Sequence, residues 1–282
     1  MALTPSQRPT REWPLLVLAL VLVGSISYPL WKWTGTRPWD GTSWGDTVER
    51  GGRLLLGPEQ IASYVCFSWA GLILLSRYLE LRRQRRAFQM GLLPTDEGSR
   101  ILPEDARPLQ RKVEQVTARK PYILANLIRL ALGKYAISRS SRDAGETVRT
   151  QAEVDLGRLV TGMATVHYLA WAIPALGFLG TVRGLAMGLS MSGQLDMAVQ
   201  EFLDKSTRHL NVAFDCTLVA LALSLPLMFL IHSVQRDEEA LVIDCQQYCL
   251  EHLINRLYDP EGSVEEMATA SPGVVARARI SS

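Results

Sequence analysis

Apolar and polar residues alternate along this chain in long blocks rather than position by position. Four blocks are continuous enough in apolar side chains to be membrane-spanning helices, at residues 13–33, 54–79, 159–189 and 209–233. A helix of ~20 residues crosses the ~30 Å apolar core of a bilayer. The pattern therefore predicts an all-α membrane protein with four transmembrane helices.

The remaining segments follow from the same division. A short N-terminal segment (1–12), two outer loops (34–53 and 190–208) and a polar tail (259–282) flank or connect the spans. Residues 80–158 and 234–258 keep a helical pattern, so we expect long cytoplasmic helical extensions. Ser141 should begin a helix that runs unbroken into the third span. Pro260, Gly262 and the small polar residues after them predict a disordered tail.

Charge gives the orientation. More than half of the 30 Lys and Arg residues lie between Arg77 and Arg158, which places that segment in the cytoplasm under the positive-inside rule. Four crossings then put both termini on the same side. Aromatic residues flank the first block, including Trp13 and Trp33, so we interpret it as a retained span. A cleaved leader is the weaker alternative.

The third block carries small residues at helical spacing. Gly177, Gly180, Gly184 and Gly188 are three or four residues apart and share one helix face. Thr181 joins that face, four residues after Gly177. A stripe of small residues allows another helix to approach closely, so we expect a tightly packed, sparsely polar path there.

Catalytic chemistry has no matching pattern in the sequence. Phosphate-binding loops, zinc-protease motifs and nucleophile elbows are all missing from it, so we predict neither an enzyme nor a cofactor. Cys245, Cys249 and His252 share a helix face and could suggest a metal. Three such residues without a fourth ligand are more often ordinary helix positions. The basic segment is explained by topology, so no nucleic acid partner is expected.

Two motifs together resemble the MotA/TolQ/ExbB proton channel family. Its members pair a P-x-x-G-x-x-G-T-V-x-G span with a following T-x-x-G/A-L-x-x-x-x-P span. Here the first motif runs from Pro174 to Gly184 and the second from Thr217 to Pro226. They occur in the family's order with a short outer loop between them.

The resemblance implies a homopentamer in the bacterial inner membrane, with both termini cytoplasmic. The ring would enclose a dimer of a single-span partner of the MotB/TolR/ExbD type, which brings the titrating aspartate. Thr181 and Thr217 would line the ion path beside it, while Pro174 and Pro226 bend the two core helices. Ion flow would then drive rotation or force. The client process, and whether protons or sodium ions flow, stay open.

Two other interpretations stand beside this one. Each threonine could merely donate to a carbonyl in its own helix, as threonines in membrane helices often do. The chain could also be a structural membrane scaffold that uses the same small-residue faces and conducts nothing.

Two charged residues depart from the family pattern. Arg183 stands where Trp is frequent in the transport branch of the family. Many members of that branch carry Glu five residues before the second threonine, where this chain has Val212, and the acid here is Asp215. Each of these two charged residues lies two residues further toward the outer surface of the membrane than its threonine, so the two share one depth. This predicts an Arg183–Asp215 ion pair behind the ion path. Alternatively, Arg183 extends to the headgroups and Asp215 is capped independently, or Asp215 is a titrating relay.

Overall fold

The computed structural model describes residues 12–35, 56–93, 100–117, 121–190 and 199–258. The predicted N-terminal segment, most of the first outer loop, much of the second and the tail 259–282 lie outside these residues. The described residues form helices and one isolated parallel bridge, between Ile101 and Leu257. The helices are α1 (Glu12–Gly35), α2 (Pro58–Arg85), α3 (Pro103–Thr117), α4 (Ile123–Ser138), α5 (Ser141–Thr161), α6 (Ala164–Ser190) and α7 (Val199–His252). Short 3-10 turns follow α2 and α7, at Arg86–Gln89 and Ile254–Arg256.

Four of these helical segments are long and apolar enough to cross a membrane, as the sequence predicts. Within each apolar window, only between 11% and 33% of the residues are buried inside the chain. An all-round apolar helix that is so little buried needs an apolar surrounding. Lipid or other protein subunits must therefore cover most of this surface.

The chain divides into two compact units. Among the described residues, the apolar unit comprises those within 12–79 and 162–236, and the polar unit comprises those within 80–161 and 237–258. In the apolar unit, α2, α6 and α7 share a buried core that includes Ile73, Ile173 and Leu227. This core positions the two helices that carry the family motifs.

The polar unit has its own core, built around α4. Leu127, Ile128 and Leu132 are fully buried where α4 packs between α3 and α5. Tyr135, also fully buried, places its hydroxyl 2.6 Å from the Tyr258 carbonyl oxygen. That contact joins α4 to the segment that follows α7.

Two helix boundaries differ from the sequence-based expectation. The predicted continuous helix from Ser141 is interrupted at Gly162 and Met163, between α5 and α6. Glycine weakens a helix interior, and the Met163 side chain is fully buried in the apolar core. Helix α7 already begins at Val199, inside the predicted second outer loop, because a rise in polarity ends an apolar span without ending the helix.

Candidate functional site

Helices α6 and α7 approach closely at three of the four predicted packing glycines. A Cβ atom added at Gly177 would lie 2.5 Å from the Ala220 Cβ, and one at Gly184 would lie 2.7 Å from the Ala213 Cβ. At Gly180 the added atom would lie 2.8 Å from the Cys216 sulfur. Real side chains do not approach so closely, so each position requires glycine at this helix separation.

Gly188 differs from the other three. The nearest atom to a Cβ added there would be 3.7 Å away, which is ordinary van der Waals contact. The close approach thus covers Gly177–Gly184 and relaxes toward the end of α6. The two motif prolines, Pro174 and Pro226, lie inside α6 and α7, and each helix continues through its proline.

The two family threonines meet between these helices. The Thr181 and Thr217 hydroxyl oxygens are in direct hydrogen-bond contact. The Thr181 oxygen also lies 3.1 Å from the Gly177 carbonyl oxygen and 3.3 Å from that of Ala213. The Thr217 oxygen lies 3.3 Å from the same Gly177 carbonyl. The predicted path residues therefore contact each other. Thr181 also contacts a carbonyl of its own helix, whereas the carbonyl beside Thr217 belongs to α6.

The threonine pair has unused hydrogen-bonding capacity. Two hydroxyls supply two protons and four lone pairs. One proton is used between Thr181 and Thr217, and the other can reach only one of the carbonyls beside it. The capacity left is that of an acceptor. Both threonines are only partly buried. A protonated carboxyl or a water molecule can therefore donate to the free lone pairs, and a cation can be coordinated by them.

Arg183 forms its ion pair with a residue that the sequence interpretation did not consider. Its Nη2 atom lies 2.8 Å from Oε2 of Glu59, in the first turn of α2. Within the described chain Arg183 pairs with Glu59, and no Arg183–Asp215 pair is formed; a pair between subunits stays a prediction. Helix α2 packs Glu59 against Gly180, which places the Glu59 carboxylate beside the Arg183 guanidinium. The prediction from helix depth considered only α6 and α7.

The start of α2 carries further buried polar residues that the sequence reasoning missed. Glu59, Gln60 and Ser63 are 8%, 1% and 2% exposed. Ser63 donates to the Glu59 carbonyl oxygen, whereas neither side-chain polar atom of Gln60 has a hydrogen-bond partner in the structure. The signal was three polar residues at i, i+1 and i+4 at the start of an apolar helix, which marks a buried polar face.

The two thiols of the polar unit lie in its packed apolar core. Cys245 and Cys249 are 2% and 0% exposed within its core. Burial raises the pKa of the Cys249 thiol to about 12, and it also raises that of Cys245. His252, the third member of the candidate metal face, stacks on Tyr248 with ring centroids 4.4 Å apart. Among the described residues, no group of three or more acidic, Cys or His side chains is placed to hold a metal ion.

Comparison with known proteins gives one match. The MotA/TolQ/ExbB proton channel family matches residues 119–247, a little under half of the 282-residue chain. The matched segment contains the threonine pair and its glycines, so the resemblance inferred from the motifs is confirmed. This is a family of channels and energisers rather than enzymes, whose members work with single-span partners in membrane complexes. No curated protein and no solved structure matches the chain.

Proposed function

We propose that this chain is the ring-forming subunit of a proton-driven motor or energiser in the bacterial inner membrane. Five copies surround two single-span helices of a partner protein, and ion flow along α6 and α7 drives rotation or force. The observation that carries this proposal is the Thr181–Thr217 hydroxyl pair, held at a glycine-lined approach of two membrane helices.

The apolar surface of the two core helices supports a ring. Large side chains on α6 and α7 are exposed in the single chain, among them Phe178 (68%), Leu218 (61%) and Leu225 (72%). Apolar side chains exposed along one helix in this way mark contact with lipid or protein. In the proposed assembly, part of this surface meets neighbouring copies and part faces the axial helices.

The chemistry of the threonine pair requires the partner. Its hydroxyls supply hydrogen bonds but no group that titrates at physiological pH, so the proton carrier comes from the partner's aspartate. A protonated carboxyl can donate to the acceptor capacity of the pair, whereas a carboxylate cannot. The pair therefore favours the neutral acid. Each charge that moves through ~100 mV releases ~2.3 kcal/mol, so a large mechanical step needs several ions.

The orientation follows from the basic residues. We place the segment from Arg77 to Arg158, and both termini, in the cytoplasm because cytoplasmic segments of membrane proteins are enriched in Lys and Arg. Glu59 and Arg183 then lie toward the outer ends of their helices. The long C-terminal part of α7 extends into the cytoplasm, where it is available to the driven machinery.

Substitution of the threonines tests the proposal. Thr181→Val and Thr217→Val keep the side-chain shape and remove the hydroxyl, while Thr181→Ser and Thr217→Ser keep the hydroxyl and serve as matched controls. With the co-purified partner in proteoliposomes, we expect each Val variant to lower protonophore-sensitive proton uptake about tenfold, the worth of one hydrogen bond of ~1.4 kcal/mol. The Ser variants should stay close to wild type.

Assembly and conduction are measured separately. Native mass spectrometry should give the same ring for wild type and all four variants. Full conduction by the Val variants would refute the role of the hydroxyls. If the ring forms but neither wild type nor any variant takes up protons with the partner present, the chain is a structural scaffold instead.

A further inference from the structure

We propose that Arg183 of one subunit forms an ion pair with Asp215 of the next subunit around the ring. The inference rests on the ring proposed above and adds the contact that joins its members. The Arg183 guanidinium would then bind both Glu59 of its own subunit and Asp215 of the next subunit.

The two residues lie at one depth in the helix pair. Contacts between Gly177 and Ala220, and between Gly184 and Ala213, fix the antiparallel register of α6 and α7. The threonine hydroxyl contact lies between these two levels. Two residues further toward the same end, a rise of ~3 Å in each helix, this register reaches position 183 on α6 and position 215 on α7.

At this depth the two residues lie on opposite flanks of the helix pair. Each lies about 200° around its helix from its threonine. Because about 200° is close to half a turn, each charge lies on the side of its helix away from the facing threonines, so Arg183 lies beyond α6 and Asp215 beyond α7. The flank neighbours Leu179 on α6 and Leu218 on α7 are 58% and 61% exposed. In a closed ring of identical subunits, one such flank meets the other flank of the next copy.

The charges are complementary and have bonding capacity left. The Arg183 side chain is 41% exposed and uses Nη2 for Glu59, whose side chain is only 10% exposed. A guanidinium has five N–H donors in a fork that can serve two carboxylates. Asp215 is partly buried, and no ion pair or hydrogen bond to its side chain is formed within the described chain. An ionised carboxylate in an apolar helix needs such a partner.

Cysteine crosslinking tests the geometry while keeping all charges. Leu179→Cys carries one affinity tag and Leu218→Cys another, in a background whose four native cysteines are replaced and whose ring assembly is first verified. The two chains are co-expressed and treated with a short bis-maleimide in membranes. We expect a crosslinked dimer with both tags. Phe229→Cys, 74% exposed but ~16 Å further along α7 than Leu218, should give none with Leu179→Cys.

The ion pair itself is tested by a double-mutant cycle on ring stability. Asp215→Asn and Arg183→Gln should each increase subunit dissociation in detergent at least about tenfold. The double variant should be little worse than Arg183→Gln alone. Glu59→Gln is the control for the contact within one chain, and combined with Asp215→Asn it should leave the effect of Asp215→Asn largely intact.

The outcomes separate this inference from the proposed function. A wild-type protein that remains monomeric would refute the ring and therefore both. A ring without the Leu179–Leu218 crosslink, or with fully additive effects of the position 183 and 215 substitutions, would overturn the intersubunit pair and leave the ring intact.

Discussion

The substitution Gly177→Ala tests the α6–α7 packing with one methyl group. The added Cβ would lie 2.5 Å from the Ala220 Cβ, and 3.3 Å from both the Cys216 carbonyl oxygen and the Thr217 Cα. Ordinary contact is 3.4–4 Å. Two of the three nearest atoms are backbone and cannot rotate away, so the helices must separate locally by about 1 Å.

This separation has two measurable consequences. Overpacking of a close contact costs about 1–3 kcal/mol, and the higher helix propensity of Ala returns up to ~1 kcal/mol. We therefore expect a net destabilisation of about 1–2 kcal/mol. The same ~1 Å would lengthen and weaken the hydrogen bond between Thr181 and Thr217, so proton uptake should also fall.

The measurements are the midpoint of unfolding in a mixed-detergent titration and proton uptake with the partner present. Gly188→Ala is the matched control: its new Cβ meets nothing closer than 3.7 Å, so it should be neutral or slightly stabilising. Adding Ala220→Gly to Gly177→Ala removes the closest clash and should recover part of the loss. Equal stability and uptake in Gly177→Ala and Gly188→Ala would refute the packing described for α6 and α7.

Three further predictions address other contacts. In the dissociated subunit, Glu59→Gln should lower the free energy of unfolding by about 1–3 kcal/mol, toward the lower end because the Arg183 side chain is 41% exposed. In denaturation of that subunit, adding Arg183→Gln should cost little more, and full additivity would exclude the pair. Burial raises the pKa of the Cys249 thiol from 9.0 to about 12, so the stability that the neutral thiol contributes is full below pH 9 and is lost between pH 9 and 12. The unfolding midpoints at pH 8 and pH 10 should therefore differ less in Cys249→Ala than in wild type. An equal difference in both proteins would contradict this. Tyr135→Phe removes the hydroxyl that lies 2.6 Å from the Tyr258 carbonyl and should cost about 1–2 kcal/mol, whereas unchanged thermal stability would show that the bond contributes nothing.

The fold class and the four membrane helices are predictable from the sequence alone. Each apolar block can be recognised from its own residues, because a helix in a bilayer forms all its backbone hydrogen bonds within itself. The four spans are therefore identifiable without knowledge of the helices that pack against them. The residues at the α6–α7 contact were also readable, because helical spacing alone places Gly177, Gly180 and Gly184 on one face with Thr181. The match over residues 119–247 agrees with the motifs from which the family was inferred.

The contacts that these residues make depend on how the helices pack. The sequence pattern pairs Arg183 with Asp215, whereas the packing of α2 against Gly180 places Glu59 2.8 Å from the Arg183 guanidinium. Gly188 shares the spacing of the other glycines but lacks their close contacts, because the approach of two helices varies along their length. Periodicity fixes the direction of a side chain around its own helix, whereas the distance to another helix depends on every residue packed between them.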